Sequence, residues 1–211
     1  MSEAERERMV QGQLVARGIA DPAVLAAFRA VARERFVPAS RAHLAYHDRA
    51  LPLSDGQTIS QPYMVAKTTE LARVRPGARV LDVGTGSGYQ AAILAAMGCE
   101  VWSIERIAVL AERAAARLAE LGFEVRVVVG DGSRGWPEAA PYDAIVCAAA
   151  APDLPPSWGA QLAVGGRAVL PIGGRAMQHL TVVERTAEGF EHTRHDPCVY
   201  VPLVGDEGWS A

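Results

Sequence analysis

The chain has 211 residues, half of them hydrophobic and 21% charged, so it carries enough apolar side chains for a sizeable core and is not a disordered chain. Twenty-four acids against 21 bases leave a net charge of −3, and no global basic field draws the chain to nucleic acid. The longest wholly apolar run, Ala144 to Ala151, is eight residues, far short of a membrane span, and the charged opening MSEAERERM is no secretory signal; the expectation is a soluble cytoplasmic protein.

Residues 3–17 carry a weak amphipathic pattern that predicts a helix with Gly18 as its stop. Asp21-Pro22 offers an N-cap followed by proline at the first helical position, and Val24, Leu25, Phe28 and Val31 recur at helical spacing, predicting a helix over 22–33. Val37 to Pro62 shows no period and is rich in Pro, Gly, Ser and Asp; so long an irregular stretch inside a compact domain is usually functional or disordered. A helix is predicted from Tyr63 to about Arg73, closed by the Pro76-Gly77 turn.

From Arg79 the pattern changes. Strands are predicted at Val80–Val83, Glu100–Ile104, Val125–Val129 and Ala144–Cys147, with helices at Tyr89–Met97 and Ile107–Leu121 between them. Arg167–Leu170, Leu180–Glu184 and Cys198–Leu203 follow without intervening helices. The fold class is therefore α/β: a doubly wound, mostly parallel sheet with an N-terminal helical extension and antiparallel C-terminal strands. One domain is expected, with residues 1–76 as helical extension and covering segment and residues 77–211 as the core.

The most informative segment is Val80-Leu81-Asp82-Val83-Gly84-Thr85-Gly86-Ser87-Gly88-Tyr89. A strand runs into three alternate glycines and then a helix, so a ligand can approach the backbone closely and the new helix favours an anionic group. A dinucleotide loop needs glycine where Tyr89 stands, a Walker loop needs Gly-Lys, and a hydrolase elbow needs glycine two residues to each side of Ser87, where Thr85 and Tyr89 stand. What remains, acid-x-G-x-G-x-G after a first strand, resembles the S-adenosylmethionine loop of Rossmann-like methyltransferases. In that register Asp82 lies near the cofactor's methionine end, Glu105 closes the second strand where an acid can accept both ribose hydroxyls, and Gly130-Asp131-Gly132 follows the third strand where adenine would be read. Glu105 has a plainer reading as a helix N-terminal partner.

The resemblance extends over nearly the whole chain. Ala50-Leu51-Pro52-Leu53, Gly56-Gln57-Thr58-Ile59-Ser60-Gln61-Pro62-Tyr63-Met64-Val65-Ala66, the glycine loop through Ala92, Ser103-Ile104-Glu105-Arg106, Tyr142-Asp143-Ala144-Ile145, Leu170-Pro171-Ile172-Gly173 and Val201-Pro202-Leu203-Val204 occur in the order found in protein-L-isoaspartate O-methyltransferases. This resemblance implies methyl transfer from S-adenosyl-L-methionine, leaving S-adenosyl-L-homocysteine, to the α-carboxyl of L-isoaspartyl residues in damaged proteins and peptides. The ester then collapses to a succinimide that partly reopens to aspartate. It implies that Ser60 is the active-site hydroxyl, that Ile59, Ser60, Gln61 and Val204 contact the substrate, and that Thr58, Ile59, Asp82, Gly84, Thr85, Gly86, Ser87, Gly88, Glu105, Arg106, Asp131 and Gly132 hold the cofactor. Ser60 could alternatively cap the helix before Pro62.

Departures from the family pattern are Asp82 where many members have Glu, Ala148 where Thr is common, and Tyr200 where many carry Phe. No metal is expected: His43/His47 and His192/His195 lack a third ligand at a suitable spacing, and Cys99, Cys147 and Cys198 form no CxxC pair. The partners expected are isoaspartyl proteins and peptides, with neither nucleic acid nor membrane, and a monomeric enzyme. Rival readings are a related methyltransferase acting on an aspartate of a dedicated precursor peptide, a non-catalytic S-adenosylmethionine-binding scaffold, and a nicotinamide dehydrogenase, which Tyr89 disfavours.

Overall fold

The structure, a computed structural model, describes residues 3–53 and 56–210. Helix α1 (Glu3–Met9) passes into a π turn over Val10–Leu14 and a 3-10 turn over Val15–Arg17, and Gly18, at φ 86°, ends the run as expected. Asp21 caps helix α2 (Pro22–Ala30), its carboxylate accepting from the amides of Ala23 and Val24. The helix stops short of residue 33 because Val31 turns to extended backbone. That turn sends Arg33 inward. The irregular stretch after it holds 3-10 turns at Arg33–Phe36 and Ala39–Leu44 and a two-residue antiparallel pair, β1 (Leu51–Pro52) with β2 (Thr58–Ile59). Helix α3 (Pro62–Ala72) follows, its last turn closed by Arg73 in the left-handed region at φ 51°.

The core alternates β3 (Arg79–Val83), α4 (Tyr89–Ala96), β4 (Glu100–Glu105), α5 (Ala108–Glu120), β5 (Val125–Val129) and β6 (Tyr142–Cys147). Helix α6 (Pro156–Gln161) and strands β7 (Leu162–Gly173), β8 (Gln178–Arg185) and β9 (Phe190–Cys198) complete it. The sheet order is β5-β4-β3-β6-β7-β8-β9; the pairs from β5 to β7 are parallel, and β7-β8 and β8-β9 are antiparallel. Val80 packs with α3 and α4 on one face while Leu81 packs with Trp158 of α6 on the other, which is the period-2 alternation of a strand covered on both sides.

The chain winds outward from β3 in both directions, and the crevice at this switch point opens at the C-terminal ends of β3, β4 and β6. One expectation is corrected here. The last strand is β9, Phe190–Cys198, and not Cys198–Leu203. As an exposed edge strand reading FEHTRHDPC it buries little and carries no apolar alternation to reveal it. Residues 199–204 instead cross the C-terminal edge of the sheet: the Ala150 amide donates to Val201 O at 2.8 Å and the Leu203 amide to Ala150 O at 2.7 Å. None of the helices among the described residues is long and apolar enough to cross a membrane.

Candidate active site

The three loop glycines all take positive φ, 90° at Gly84, 51° at Gly86 and 85° at Gly88, so the turn is one that other residues would strain to make. At Gly88 packing adds a second requirement, because a Cβ there would stand 3.2 Å from Leu118 of α5. The loop is braced on three sides. The Gly84 amide donates to Ile104 O at 2.9 Å, and Arg117 donates to Ser87 O at 2.9 Å. Behind it, Thr85 Oγ1 and Ser103 Oγ lie 2.6 Å apart, and Ser103 donates to Asp82 Oδ2 at 2.7 Å.

Glu105 is buried at the end of β4 and uses both oxygens locally: Oε2 accepts from the Gly86 amide and Oε1 from the Ile107 amide, each at 3.0 Å. The acid meets the start of α5 and also lines a cavity. That cavity is a chamber of about 270 Å³ bounded by Thr58, Gly84, Gly86, Glu105, Arg106 and Gly132, with Val201 to Val204 as its far wall. Beside it runs a narrow arm of about 40 Å³ lined by Ile59, Ser60, Thr85, Ser87, Cys147 and Tyr200. Thr58, Gly84, Gly86 and Ala148 border both spaces. Ala148, where a threonine is common, adds no hydroxyl at that junction.

Ser60 does not cap α3. The N-cap position is Gln61, and no side chain bonds there. The Ser60 carbonyl is instead held at 2.7 Å by Nη2 of Arg33, and Ser60 lines the arm together with Tyr200. Burial pushes the Tyr200 phenol up, the Cys198 side chain adding to this and the Ser60 hydroxyl opposing it. Burial likewise pushes the Cys147 thiol up to about 12, so the one sulfur on the arm stays protonated and weakly nucleophilic.

Four expected residues stand apart from the two spaces. Gly88 lies behind the loop at the start of α4, and Gln61 turns away to donate to Asp48 O at 3.2 Å. Asp131 points to the C-terminal segment: Oδ1 accepts from the Ser133 amide at 2.9 Å and its hydroxyl at 2.7 Å, and Oδ2 from the Asp206 amide at 2.8 Å. Burial opposes ionisation of Asp131, but these bonds outweigh it and hold the carboxyl below its usual range. The same latch continues through Glu207, which accepts from the Ser157 amide and hydroxyl at 2.8 and 2.5 Å. Asp131 thus shapes the chamber indirectly, by fixing the segment that carries Val204. The sequence does not reveal this latch, because Asp206 lies 75 residues from Asp131 and carries no motif.

Asp82 is fully buried beneath the loop, and its Oδ1 has no hydrogen-bond partner. Burial pushes its carboxyl from 3.8 up to about 7, the Ser103 bond pulling the other way and the Glu105 charge adding to the rise. The folded protein therefore keeps a proton that the unfolded chain has already lost, so the stability this group contributes is complete below pH 3.8 and falls until pH reaches about 7. We expect denaturant midpoints of the wild type to fall by the equivalent of about 4 kcal/mol across that window, and Asp82→Asn to abolish this component. Parallel pH curves for the two proteins would show that the acid ionises freely.

The donor set suits a cofactor with a ribose and an aromatic base: a braced carboxylate facing the chamber, beside apolar walls from Ile104, Ile107 and Leu203. Among the described residues no group of three or more His, Cys, Asp or Glu could hold a metal ion. The sequence matches the protein-L-isoaspartate(D-aspartate) O-methyltransferase family over residues 4–208. It is 53% identical to protein-L-isoaspartate O-methyltransferase 1 of Rhodopseudomonas palustris (strain HaA2), covering 99% of this chain and 86% of that one. It is also 53% identical to protein-L-isoaspartate O-methyltransferase of Methylorubrum populi, covering 99% of both chains. A solved protein-L-isoaspartate O-methyltransferase structure superimposes with a TM-score of 0.86 at 29% identity, over 96% of this chain and 67% of that one. A Plasmodium falciparum structure, described as a putative member in complex with S-adenosyl-L-homocysteine, shares the fold with a TM-score of 0.81 at 24% identity, covering 94% of this chain and 98% of that one. With glycine loop, acid at the end of β4 and TISQP turn gathered around one crevice, the chain belongs to the protein-L-isoaspartate(D-aspartate) O-methyltransferase family.

Proposed function

We propose that this protein transfers a methyl group from S-adenosyl-L-methionine to the α-carboxyl of L-isoaspartyl residues in damaged proteins and peptides, the first step of repair through a succinimide. The observation that carries this reading is the Ser60 hydroxyl, which does not cap α3 and lines a narrow arm sharing Gly84 and Gly86 with the chamber that Glu105 faces. Glu105 and the Gly84–Gly88 loop hold the ribose and methionine portions, with Arg106 and Gly132 at the chamber wall. Thr58 and Ile59 separate cofactor from acceptor, and Val204, expected to contact the peptide, lines the chamber and not the arm.

An α-carboxyl has a pKa near 3.5 and is ionised at neutral pH, so the arm needs no general base. S-adenosyl-L-methionine, when bound, supplies an electrophilic methyl on a sulfonium, which a carboxylate oxygen accepts as S-adenosyl-L-homocysteine leaves. The arm's task is alignment: Ser60 donates to the carboxylate and fixes which oxygen points inward. Once the acceptor carboxylate fills so narrow an arm little room remains for water, which stabilises separated charges more than the charge-neutralised transition state. Cys147, held protonated, does not compete as methyl acceptor.

The test uses S-adenosylmethionine carrying a labelled methyl group and two peptides differing only in isoaspartate or aspartate. Base-labile label on the isoaspartyl peptide alone is the expected result. Label on neither peptide, with calorimetry still reporting cofactor binding, would move the search to another acceptor.

A further inference from the structure

Arg33 is 0% exposed, and a fully buried arginine ordinarily has an acid beside it. This one has none among its hydrogen-bond partners. Nε donates to Ala45 O at 2.8 Å and Nη2 to Ser60 O at 2.7 Å, while Nη1 has no hydrogen-bond partner. The guanidinium carbon lies 4.8 Å from the ring centroid of Tyr89, the first residue of α4 after the glycine loop, and the Tyr89 hydroxyl is likewise buried without a hydrogen-bond partner. Burial lowers the Arg33 pKa only to about 10, so the group remains charged at neutral pH.

Asp48 acts on this charge only through space, and holding a cation on neutral hydrogen-bond partners is costly; an apolar side chain of similar volume would fill the same space more cheaply if packing were the only need. The position of the charge gives it a use. One fork joins the irregular N-terminal stretch, the Ser60 turn and the foot of α4, three segments that share no continuous secondary structure. Ser60 follows the two-residue strand β2 and precedes Pro62, whose ring offers no amide, so few backbone bonds hold this turn. Arg33 supplies a bond that sets the direction of the Ser60 peptide.

We propose that Arg33 is a positioning residue for the acceptor carboxylate: its fork fixes Ser60 so that the hydroxyl faces the narrow arm, and its buried charge favours an anion there. The proposal rests on the methyl-transfer reading given above. Arginine and lysine separate its two parts, because lysine keeps the charge and cannot span both carbonyls.

The experiment compares Arg33→Lys and Arg33→Met with the wild type by steady-state methylation of an isoaspartyl peptide, S-adenosylhomocysteine calorimetry and amide hydrogen exchange. Arg33→Met is expected to raise peptide KM and lower kcat, each about tenfold, with S-adenosylhomocysteine affinity within about threefold. Arg33→Lys is expected to recover KM but not kcat. In both, the Val65 amide, which donates to Gln61 O at 3.1 Å beside this turn, should exchange about tenfold faster while β3 amides stay protected. Wild-type kcat and unchanged exchange in Arg33→Lys would overturn the proposal, as would losses of cofactor and peptide binding that merely track a falling melting temperature. Should Arg33→Met fail to fold, Arg33→Lys decides the matter. A wild-type enzyme that leaves the peptide unmodified would sink the methyl-transfer reading and this acceptor with it, whereas the exchange data judge the hold on Ser60 independently.

Discussion

Glu105→Ala is expected to weaken S-adenosylhomocysteine binding by at least about a hundredfold, because two hydrogen bonds to a charged group, each worth about 1.5–3 kcal/mol, would be lost together. The carboxylate is already posed. The amides of Gly86 and Ile107 each occupy one lone pair, and a carboxylate offers about four, so the remaining pairs can meet two ribose hydroxyls without rearrangement. Removing the acid also frees the Gly86 amide, loosening the loop at its midpoint. Glu105→Gln keeps one acceptor oxygen, so a loss of only about tenfold is expected there. Calorimetry on the three proteins checks this. An affinity within about fivefold of wild type in the alanine variant would mean that the acid serves only the start of α5.

Ser60→Ala should lower kcat by about two orders of magnitude, the scale seen when one donor to the reacting oxygens is removed, while S-adenosylhomocysteine affinity stays within about threefold. The separation follows from geometry: Ser60 borders the narrow arm alone, and Glu105 borders the chamber alone. Stability should be little altered, since the hydroxyl caps no helix and the Arg33 bond is to the Ser60 carbonyl. Initial rates with saturating cofactor, together with calorimetry, measure both quantities. A large loss of ligand affinity would reassign Ser60 to the cofactor wall.

What could be read from the sequence was whatever depends on local rules. Asp21-Pro22 announced a helix start, Gly18 a stop, and three alternate glycines a turn between strand and helix; each rests on the conformational preference of one or two residues. The antiparallel end of the sheet followed from strands lacking crossover helices, although α6 between β6 and β7 is too short to leave a period. Edge strand β9 escaped because solvent replaces the burial that writes alternation into sequence. The TISQP turn pointed to Ser60, yet the guanidinium behind it reads in sequence as one arginine among twenty. Asp131 shows the same limit. Its motif suggested a cofactor contact, and its actual bonds run to Ser133 and to Asp206, a pairing that only the folded chain creates.

That carboxylate latch bears on how this protein ages. Aspartate followed by glycine is the dipeptide most open to spontaneous isomerisation, because the unshielded amide of the glycine can attack a neutral, freely rotating side-chain carboxyl. In Asp131-Gly132 both conditions fail: the carboxyl is held ionised by three donors from Ser133 and Asp206, and Gly132 is packed so tightly that a Cβ would lie 2.6 Å from Val83 Cγ1. The bonds that keep the chamber wall in place therefore also slow, at one of its own most susceptible linkages, the damage this protein is proposed to reverse in others.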